Sequence, residues 1–187
     1  MTSYFRRILP VISLIITPLL CSFTLDFDSM PPPATADFSP VIMTVPLFEP
    51  LQEATMTDPF GWRFHPISGQ LDFHYGLDLA ASEGASIYAV TAGTVTISDE
   101  DDSYGQYILL DHQNDFYSLY AHCSKLLVEE GDKVKRGQKI AEVGSTGEAT
   151  GPHLHLEILY QNRRLDPLWV LGDGEVLTAI PQPEEKA

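Results

Sequence analysis

The chain has 187 residues, enough for one domain of ordinary size with extensions, and 44% of them are hydrophobic, which allows a real core and excludes global disorder. Its 11 Lys and Arg residues against 26 Asp and Glu residues give a net charge of −15, which argues against binding to a nucleic-acid phosphate backbone. Two cysteines, Cys21 and Cys123, are too few for a disulfide framework or a cysteine-rich zinc site.

The first 25 residues have the pattern of an export signal. Arg6 and Arg7 precede an uncharged run over residues 8–23 that is short for a membrane span and contains two prolines. We expect residues 1–25 to be a cleaved signal peptide, with an uncleaved membrane anchor as the alternative. Lipidation of Cys21 is less favoured because no small residue precedes it. The rest of the chain is therefore predicted to function outside the cytoplasm, as a secreted, periplasmic or envelope-attached protein.

A proline-rich stretch follows over residues 26–55. Six of the fourteen prolines fall between Pro31 and Pro50, and proline favours an extended chain without backbone donors. We interpret this stretch as a semi-rigid linker. The folded domain is predicted over residues 56–172, and residues 173–187 are predicted to be a polar tail.

Short strands separated by turn residues fill the predicted domain. Residues 107–111 and 116–121 form the arms of a predicted hairpin joined around residues 113–114, with further turns at residues 136–137 and 161–162. No segment favours a helix of ten or more residues. The predicted fold class is all-β, a compact antiparallel sheet folded as a barrel-like sandwich.

His74 and Asp78, in "HYGLD", are the first candidate metal ligands. On a regular strand, residues four apart are separated by about 13 Å at Cα. Zinc holds its nitrogen and oxygen ligands at about 2.0–2.2 Å, so the segment must bend for both side chains to reach one ion. Gly76 lies in the middle, where a bend costs least.

His153 and His155, in "GPHLHLEI", are the second candidate pair. Alternation along a strand places both side chains on one face, about 7 Å apart at Cα. Two histidines and one carboxylate form a recognised catalytic zinc set that leaves a position for water. The spacing alone leaves open which of the two histidines is the ligand. The other one, with His122 of "YAHCSKL", offers neutral imidazoles for proton transfer, as in a metal-dependent amide hydrolase.

Five stretches carry a resemblance to a known family: "GWRFHPISG", "FHYGLDLAA", "YAVTAGTV", "YGQYILLDHQNDFYSLYAHCSKL" and "GDKVKRGQKIAEVGSTGEATGPHLHLE". In order and spacing, over roughly residues 57–160, the sequence resembles the lysostaphin-like (LytM-type) zinc endopeptidases, which are secreted peptidoglycan hydrolases. The resemblance implies a β-rich domain with a narrow substrate groove over the sheet. It also implies Zn²⁺ as cofactor and peptidoglycan peptides as partners, with no nucleic acid and with membrane contact only through an uncleaved N-terminal segment.

The resemblance also implies a role for each motif residue. His74, Asp78 and His155 would hold the zinc ion. His122 and His153 would act on the attacking water and on the developing oxyanion. All five family positions are present, so the predicted function is metal-dependent cleavage of peptide crosslinks or stem peptides.

Two alternatives have different functions. A non-cleaving module of the same fold would bind the wall or regulate another hydrolase, and residues 26–55 could block its groove. A lipoyl- or biotinyl-type carrier is the second alternative, because "GDKVKRGQKIAEVG" resembles half of such a domain. The carrier is disfavoured because the predicted 113–114 turn has no lysine to modify.

Five neighbouring residues receive structural interpretations. A salt bridge or a strand-end role is favoured for Glu157, ahead of a role in orienting an imidazole. Arg63 and His65 are interpreted as parts of a family turn, and His112 as a hairpin-turn residue. Cys123 stands where the family usually has a larger apolar residue, and we expect it to be a small buried hydrophobe.

Overall fold

The computed structural model describes residues 47–171 and, through the backbone alone, a short strand at Ala36–Asp37. The predicted signal or anchor at residues 1–25 and the predicted tail at residues 173–187 lie outside the described residues. Among the described residues, no helix has the length and apolar character required to cross a membrane.

The described chain is built from strands, which confirms the predicted all-β class. The only helix in this part is a three-residue 3-10 turn at Pro167–Trp169. The strands are β1 (Ala36–Asp37), β2 (Thr55–Asp58), β3 (Gly61–Phe64), β4 (Leu71–His74), β5 (Leu77–Ala80), β6 (Ser86–Tyr88), β7 (Gly93–Asp101), β8 (Gly105–Asp111), β9 (Phe116–Leu126), β10 (Lys133–Val134), β11 (Lys139–Val143), β12 (His153–Tyr160) and β13 (Arg163–Leu165).

Eleven of these strands form one large sheet, and β3 with β4 forms a separate hairpin. The main path runs β1-β13-β12-β9-β8-β7-β10, with β5 and β2 joined beside β12 and with β11 and β6 joined beside β9. All pairs are antiparallel except β1 with β13. The order β5-β12-β9 places the strands that carry the candidate site side by side.

The predicted hairpin is present as β8 and β9, and its arms are longer than the sequence suggested. Its turn places Gln113, Asn114 and Asp115 at positive φ, where Asn and Asp are tolerated. The predicted final turn, at Gln161 and Asn162, also has positive φ at both residues and joins β12 to β13 as a two-residue hairpin loop.

The core begins earlier in the chain than the predicted domain boundary at residue 56. Leu47 and Leu51, which fall within the predicted linker, are buried in the main hydrophobic cluster. Backbone hydrogen bonds fix the same segment, from Phe48 N to Val90 O and from Tyr88 N to Pro50 O. The proline-rich stretch therefore reaches the core with its last residues.

Cys123 lies inside this core, as predicted. Its side chain is fully buried, and burial raises the pKa of its thiol to about 12, so the thiol stays protonated and unreactive.

Candidate metal centre

His74 and Asp78 meet at a break between two strands. His74 ends β4 and Asp78 lies in β5, and the chain bends between them as the ligand spacing required. The His74 Nε2 and Asp78 Oδ1 atoms are 3.1 Å apart. A Cβ on Gly76 would lie 2.5 Å from His155 Cε1 and 2.8 Å from Leu156 O, so glycine is needed here for the close approach of β12.

The register of β12 decides between the two histidines that the sequence left open. His155 pairs directly with Asp78 across the β5–β12 ladder, and His153 pairs with Ala80. The His155 Nδ1 atom lies 2.8 Å from Asp78 Oδ1 and 3.1 Å from His74 Nε2. Only His155 of the pair therefore joins His74 and Asp78 in a cluster able to hold a metal.

The chemistry of these three groups fits a divalent metal. His74 Nδ1 lies 2.9 Å from Pro59 O and His155 Nε2 lies 3.3 Å from Glu157 Oε1, so each ring, when neutral and bound to a metal, has an acceptor for its proton away from the cluster. Three lone-pair donors then face one another at 2.8–3.1 Å. A tetrahedral zinc ion, with bonds of about 2.1 Å, separates its ligand atoms by about 3.4 Å, close to this triangle.

The buried negative charge beside His155 also favours binding of a cation. Burial opposes ionisation of Asp78, but hydrogen bonds from His155 and His74 hold the pKa of its carboxyl well below the usual range. Burial similarly opposes protonation of His155, but hydrogen bonds to Asp78 and Glu157 raise its pKa to about 9. Without a metal, a proton supplies the positive charge that these carboxylates demand, and a bound metal would displace it.

His122 reaches the site through an irregularity in the β8–β9 ladder. The register shifts between Gln106 and Ile108, so β9 has an extra residue there, and His122 has a φ of 60°. Such a bulge redirects a side chain, and a positive φ is uncommon for a residue other than glycine. The His122 N–H donates to Tyr104 O at 2.8 Å, which holds this conformation.

His122 and His153 lie together beside the metal cluster, with ring centroids 4.7 Å apart. Each ring places Nδ1 against a backbone carbonyl, at 2.9 Å from Thr146 O for His122 and 2.8 Å from Gly151 O for His153. Burial and the neighbouring His155 and His153 lower the pKa of His122 to about 4. His122 is therefore neutral near pH 7, and its Nε2 carries a lone pair.

A family model described as "Peptidase family M23" matches residues 72–167, which include all five of these residues. The chain belongs to peptidase family M23.

This M23 domain is similar in sequence to named relatives and in structure to solved peptidases. The peptidoglycan DD-endopeptidase ShyB of Vibrio cholerae is 42% identical over 106 residues, which are 57% of this chain and 25% of ShyB. A crystal structure of a zinc-containing peptidase from Vibrio cholerae aligns with a TM-score of 0.60 and 38% identity, over 66% of this chain and 39% of that one. The catalytic domain of lysostaphin from Staphylococcus simulans aligns with a TM-score of 0.56 and 30% identity, over 62% of this chain and 90% of that one. The chain thus spans about a quarter of the length of ShyB.

The metal cluster of His74, Asp78 and His155 lies in a cleft, in keeping with the predicted groove. One set of lining residues comes from the β3–β4 hairpin, and another comes from the loops that precede β8 and β12. The lining residues beyond the five described are Arg63, His65, Pro66, Asp72, Phe73, Tyr75, Ser103, Tyr104, Glu148, Thr150 and Glu157.

Three of the residues that were interpreted as structural, Arg63, His65 and Glu157, line this cleft. His65 Nδ1 accepts hydrogen bonds at 3.3 Å from the N–H groups of Ile67 and Ser68, which closes the β3–β4 turn. Arg63 forms an ion pair with Asp58, and its Nη1 also lies 3.7 Å from Asp78 Oδ2. Arg63 is therefore nearer to the metal cluster than the sequence indicated.

Two residues of the site region escaped the sequence analysis. Tyr104 follows an acidic turn in which Asp101 Oδ1 accepts from the N–H groups of Ser103 and Tyr104. Arg164 lies on β13, beyond the recognised stretches. Tyr104 opens one of the recognised stretches without belonging to a spacing motif, and only the fold brings Tyr104 beside His155 and Arg164 beside Glu157.

Proposed function

We propose that the protein is a zinc-dependent endopeptidase that cleaves peptide crosslinks or stem peptides of bacterial peptidoglycan by metal-activated water. The observation that carries this proposal is the convergence of five side chains. Three present lone pairs to one point, and the rings of His122 and His153 lie beside it. The names of the curated relatives support the substrate class, and the predicted export signal supports a site of action outside the cytoplasm.

The three ligand residues would hold zinc with one position open. His74 Nε2, Asp78 Oδ1 and His155 Nδ1 are the donor atoms, each oriented by a partner outside the cluster or by the β5–β12 register. When bound, zinc would supply a Lewis acid that lowers the pKa of a water ligand to roughly 7 and polarises a carbonyl.

His122 and His153 would move protons and stabilise charge. In the neutral form, the Nε2 lone pair of either ring can accept the proton of the attacking water. Once protonated, the same nitrogen can donate it to the leaving amine or hydrogen-bond the oxyanion of the tetrahedral intermediate. Their bonds to Thr146 O and Gly151 O keep Nδ1 as a donor and hold Nε2 towards the cleft.

Wall digestion would test the proposal directly. The full-length protein, loaded with zinc, is incubated with peptidoglycans of defined crosslink, and soluble products are identified by mass spectrometry. We expect new peptide termini at one type of amide bond, with loss of product after chelation and recovery after zinc is restored. His112→Gln serves as a matched control, because His112 lies outside the cleft.

The outcome that would overturn the proposal is binding without chemistry. Zinc-loaded protein that sediments with the wall but releases no peptide from any wall type would identify the alternative, a wall-binding or hydrolase-regulating module.

A further inference from the structure

Glu157 is a buried carboxylate directly behind the metal cluster. It shares the site-facing side of β12 with His153 and His155, and its side chain is 2% exposed. Its Oε1 atom lies 3.3 Å from His155 Nε2, on the opposite side of the ring from the metal-facing Nδ1. A charged group is rarely buried unless it is paired, so this position needs a physical reason.

Two further residues hold the Glu157 carboxylate in place. Arg164 Nε donates to Oε2 at 2.7 Å, and the Tyr104 hydroxyl donates to Oε1 at 2.8 Å. The Arg164 guanidinium also lies 4.9 Å from the ring centre of Tyr75, the residue after His74. One arginine on β13 therefore contacts both ligand-bearing parts of the chain, through Glu157 on β12 and through Tyr75 after β4.

A histidine ligand must be fixed in one ring orientation and one tautomer before it can bind a metal through a given nitrogen. The ring can turn over about its Cβ–Cγ bond, and the neutral ring can carry its proton on either nitrogen. An acceptor fixed behind Nε2 removes both choices, because only one ring orientation with the proton on Nε2 satisfies it. The lone pair is then left on Nδ1, which faces His74 and Asp78.

We propose that Glu157 is a positioning residue of the metal centre, which fixes His155 as an Nδ1 ligand and is itself held by Arg164 and Tyr104. This inference rests on the metal centre of the proposed function and adds three residues to it. The ion pair with Arg164 confirms the salt bridge favoured from the sequence, and the positioning of His155 is an additional role of the same carboxylate.

Zinc affinity separates the two roles without any need for catalysis. Metal-free full-length variants are titrated with zinc in competition with a chromophoric chelator. Loss of an outer-shell partner of this kind weakens metal binding by roughly 10–100-fold, and we expect this for Glu157→Ala. Glu157→Gln keeps an oxygen acceptor and should lie between Glu157→Ala and the wild type. Glu142→Gln is the matched control, because this half-buried carboxylate pairs with Lys139 away from the cleft, and it should bind zinc like the wild type.

A double variant guards against simple misfolding. Removing Glu157 alone leaves Arg164 without its partner, whereas Glu157→Leu with Arg164→Leu removes both charges and is expected to fold. We expect this double variant to keep the β-sheet circular dichroism spectrum and a cooperative unfolding transition but to bind zinc roughly tenfold or more weakly.

Nitrogen-15 NMR of the zinc-loaded protein gives a second readout. In the wild type, the His155 signals should show a protonated Nε2 and a metal-bound Nδ1, and in Glu157→Ala the Nε2 proton should exchange faster with water. A folded double variant with wild-type zinc affinity and an unchanged His155 spectrum would overturn the proposal. Weakened zinc binding in a protein that cleaves no wall peptide would support it while counting against the proposed function.

Discussion

The two ends of the β8–β9 hairpin each carry a histidine, and the two rings are used differently. At the turn, His112 has both nitrogens occupied, with Nδ1 2.9 Å from Ala92 O and Nε2 2.7 Å from Ser118 Oγ. At the other end, His122 has Nδ1 bonded to Thr146 O, and its Nε2 has no hydrogen-bond partner among the described residues. A histidine is therefore available for proton transfer only when its second ring nitrogen lacks a hydrogen-bond partner, as in His122.

The two ends of the hairpin also differ in where their positive φ values fall. At the turn, positive φ values fall on Gln113, Asn114 and Asp115, in an ordinary exposed hairpin loop. At the site, a positive φ falls on His122 within the ladder, a conformation that costs about 1–3 kcal/mol and persists only where the surroundings enforce it. The turn thus has its positive φ values in an exposed loop, whereas the end that faces the cleft has one inside a β-ladder.

Two glycines allow the surroundings of His122 to pack closely. A Cβ on Gly105 would lie 2.3 Å from Thr146 Oγ1, and a Cβ on Gly147 would lie 2.3 Å from Gly105 N. Only glycine lets the start of β8 and the loop before β12 approach in this way. The carbonyl of Thr146 is thereby placed to receive the His122 Nδ1 proton.

The largest effect should follow removal of a ring that faces the metal. His74→Ala deletes one of three ligands, and metal-activated water supplies several kcal/mol, so we expect cleavage to fall by at least about 10³-fold. Zinc content, measured by elemental analysis of the dialysed protein, should fall in parallel. Full zinc occupancy in this variant would contradict the ligand assignment.

A smaller loss should follow removal of the ring with the unpartnered nitrogen. His122→Ala leaves all three ligands in place, so zinc content should match the wild type. The cleavage rate should fall by about 10²–10⁴-fold, the usual contribution of a general acid or base. Cleavage kinetics with a crosslinked peptide would check this, and undiminished turnover would remove the catalytic role of His122.

The His112 ring should affect stability instead of chemistry. It belongs to a chain of hydrogen bonds from Ala92 O through Ser118 Oγ and the Tyr120 hydroxyl to Val90 N. Replacing His112 by Ala leaves buried partners unsatisfied, so we expect a loss of about 1–3 kcal/mol in the free energy of unfolding. Urea denaturation measures this loss. Cleavage per folded molecule should stay at the wild-type level, and a catalytic defect as large as that of His122→Ala would break the comparison.

Much of this arrangement follows from local pattern. Alternation placed His153 and His155 on one face, and the ligand distance required the bend at Gly76 between His74 and Asp78. The strand-rich fold followed from β-branched runs and turn residues. These inferences succeed because each depends on residues that are close in the sequence.

What the sequence did not predict depends on pairing between distant segments. The register His155↔Asp78, which selects one histidine of the pair, joins residues 77 positions apart. The bulge at His122 depends on how β8 pairs with β9. Arg164 reaches Glu157 only because β13 folds back on β12. Leu47 lies in the stretch that its prolines indicate as a linker, yet it is buried in the core through contacts with distant segments.

The smallest expected effect is a pH dependence that belongs to the structural histidine. Burial lowers the pKa of His112 below its ordinary value of 6.5, so the folded state resists a proton that the unfolded state accepts. Its contribution to stability is therefore complete above about pH 6.5 and is lost as the pH falls from there towards the folded-state pKa.

A comparison of unfolding curves isolates this effect from the titration of the site. Urea denaturation of the wild type and of His112→Gln is measured between about pH 7.5 and pH 5, where one proton contributes at most about 1.4 kcal/mol per pH unit. The wild type should lose stability more steeply than the variant on the acid side, because the variant lacks the buried imidazole. Parallel curves would mean that the His112 ring is protonated as easily in the folded as in the unfolded chain. That result would contradict burial of the His112 ring as the cause of its lowered pKa, and with it the structural role that distinguishes this end of the hairpin.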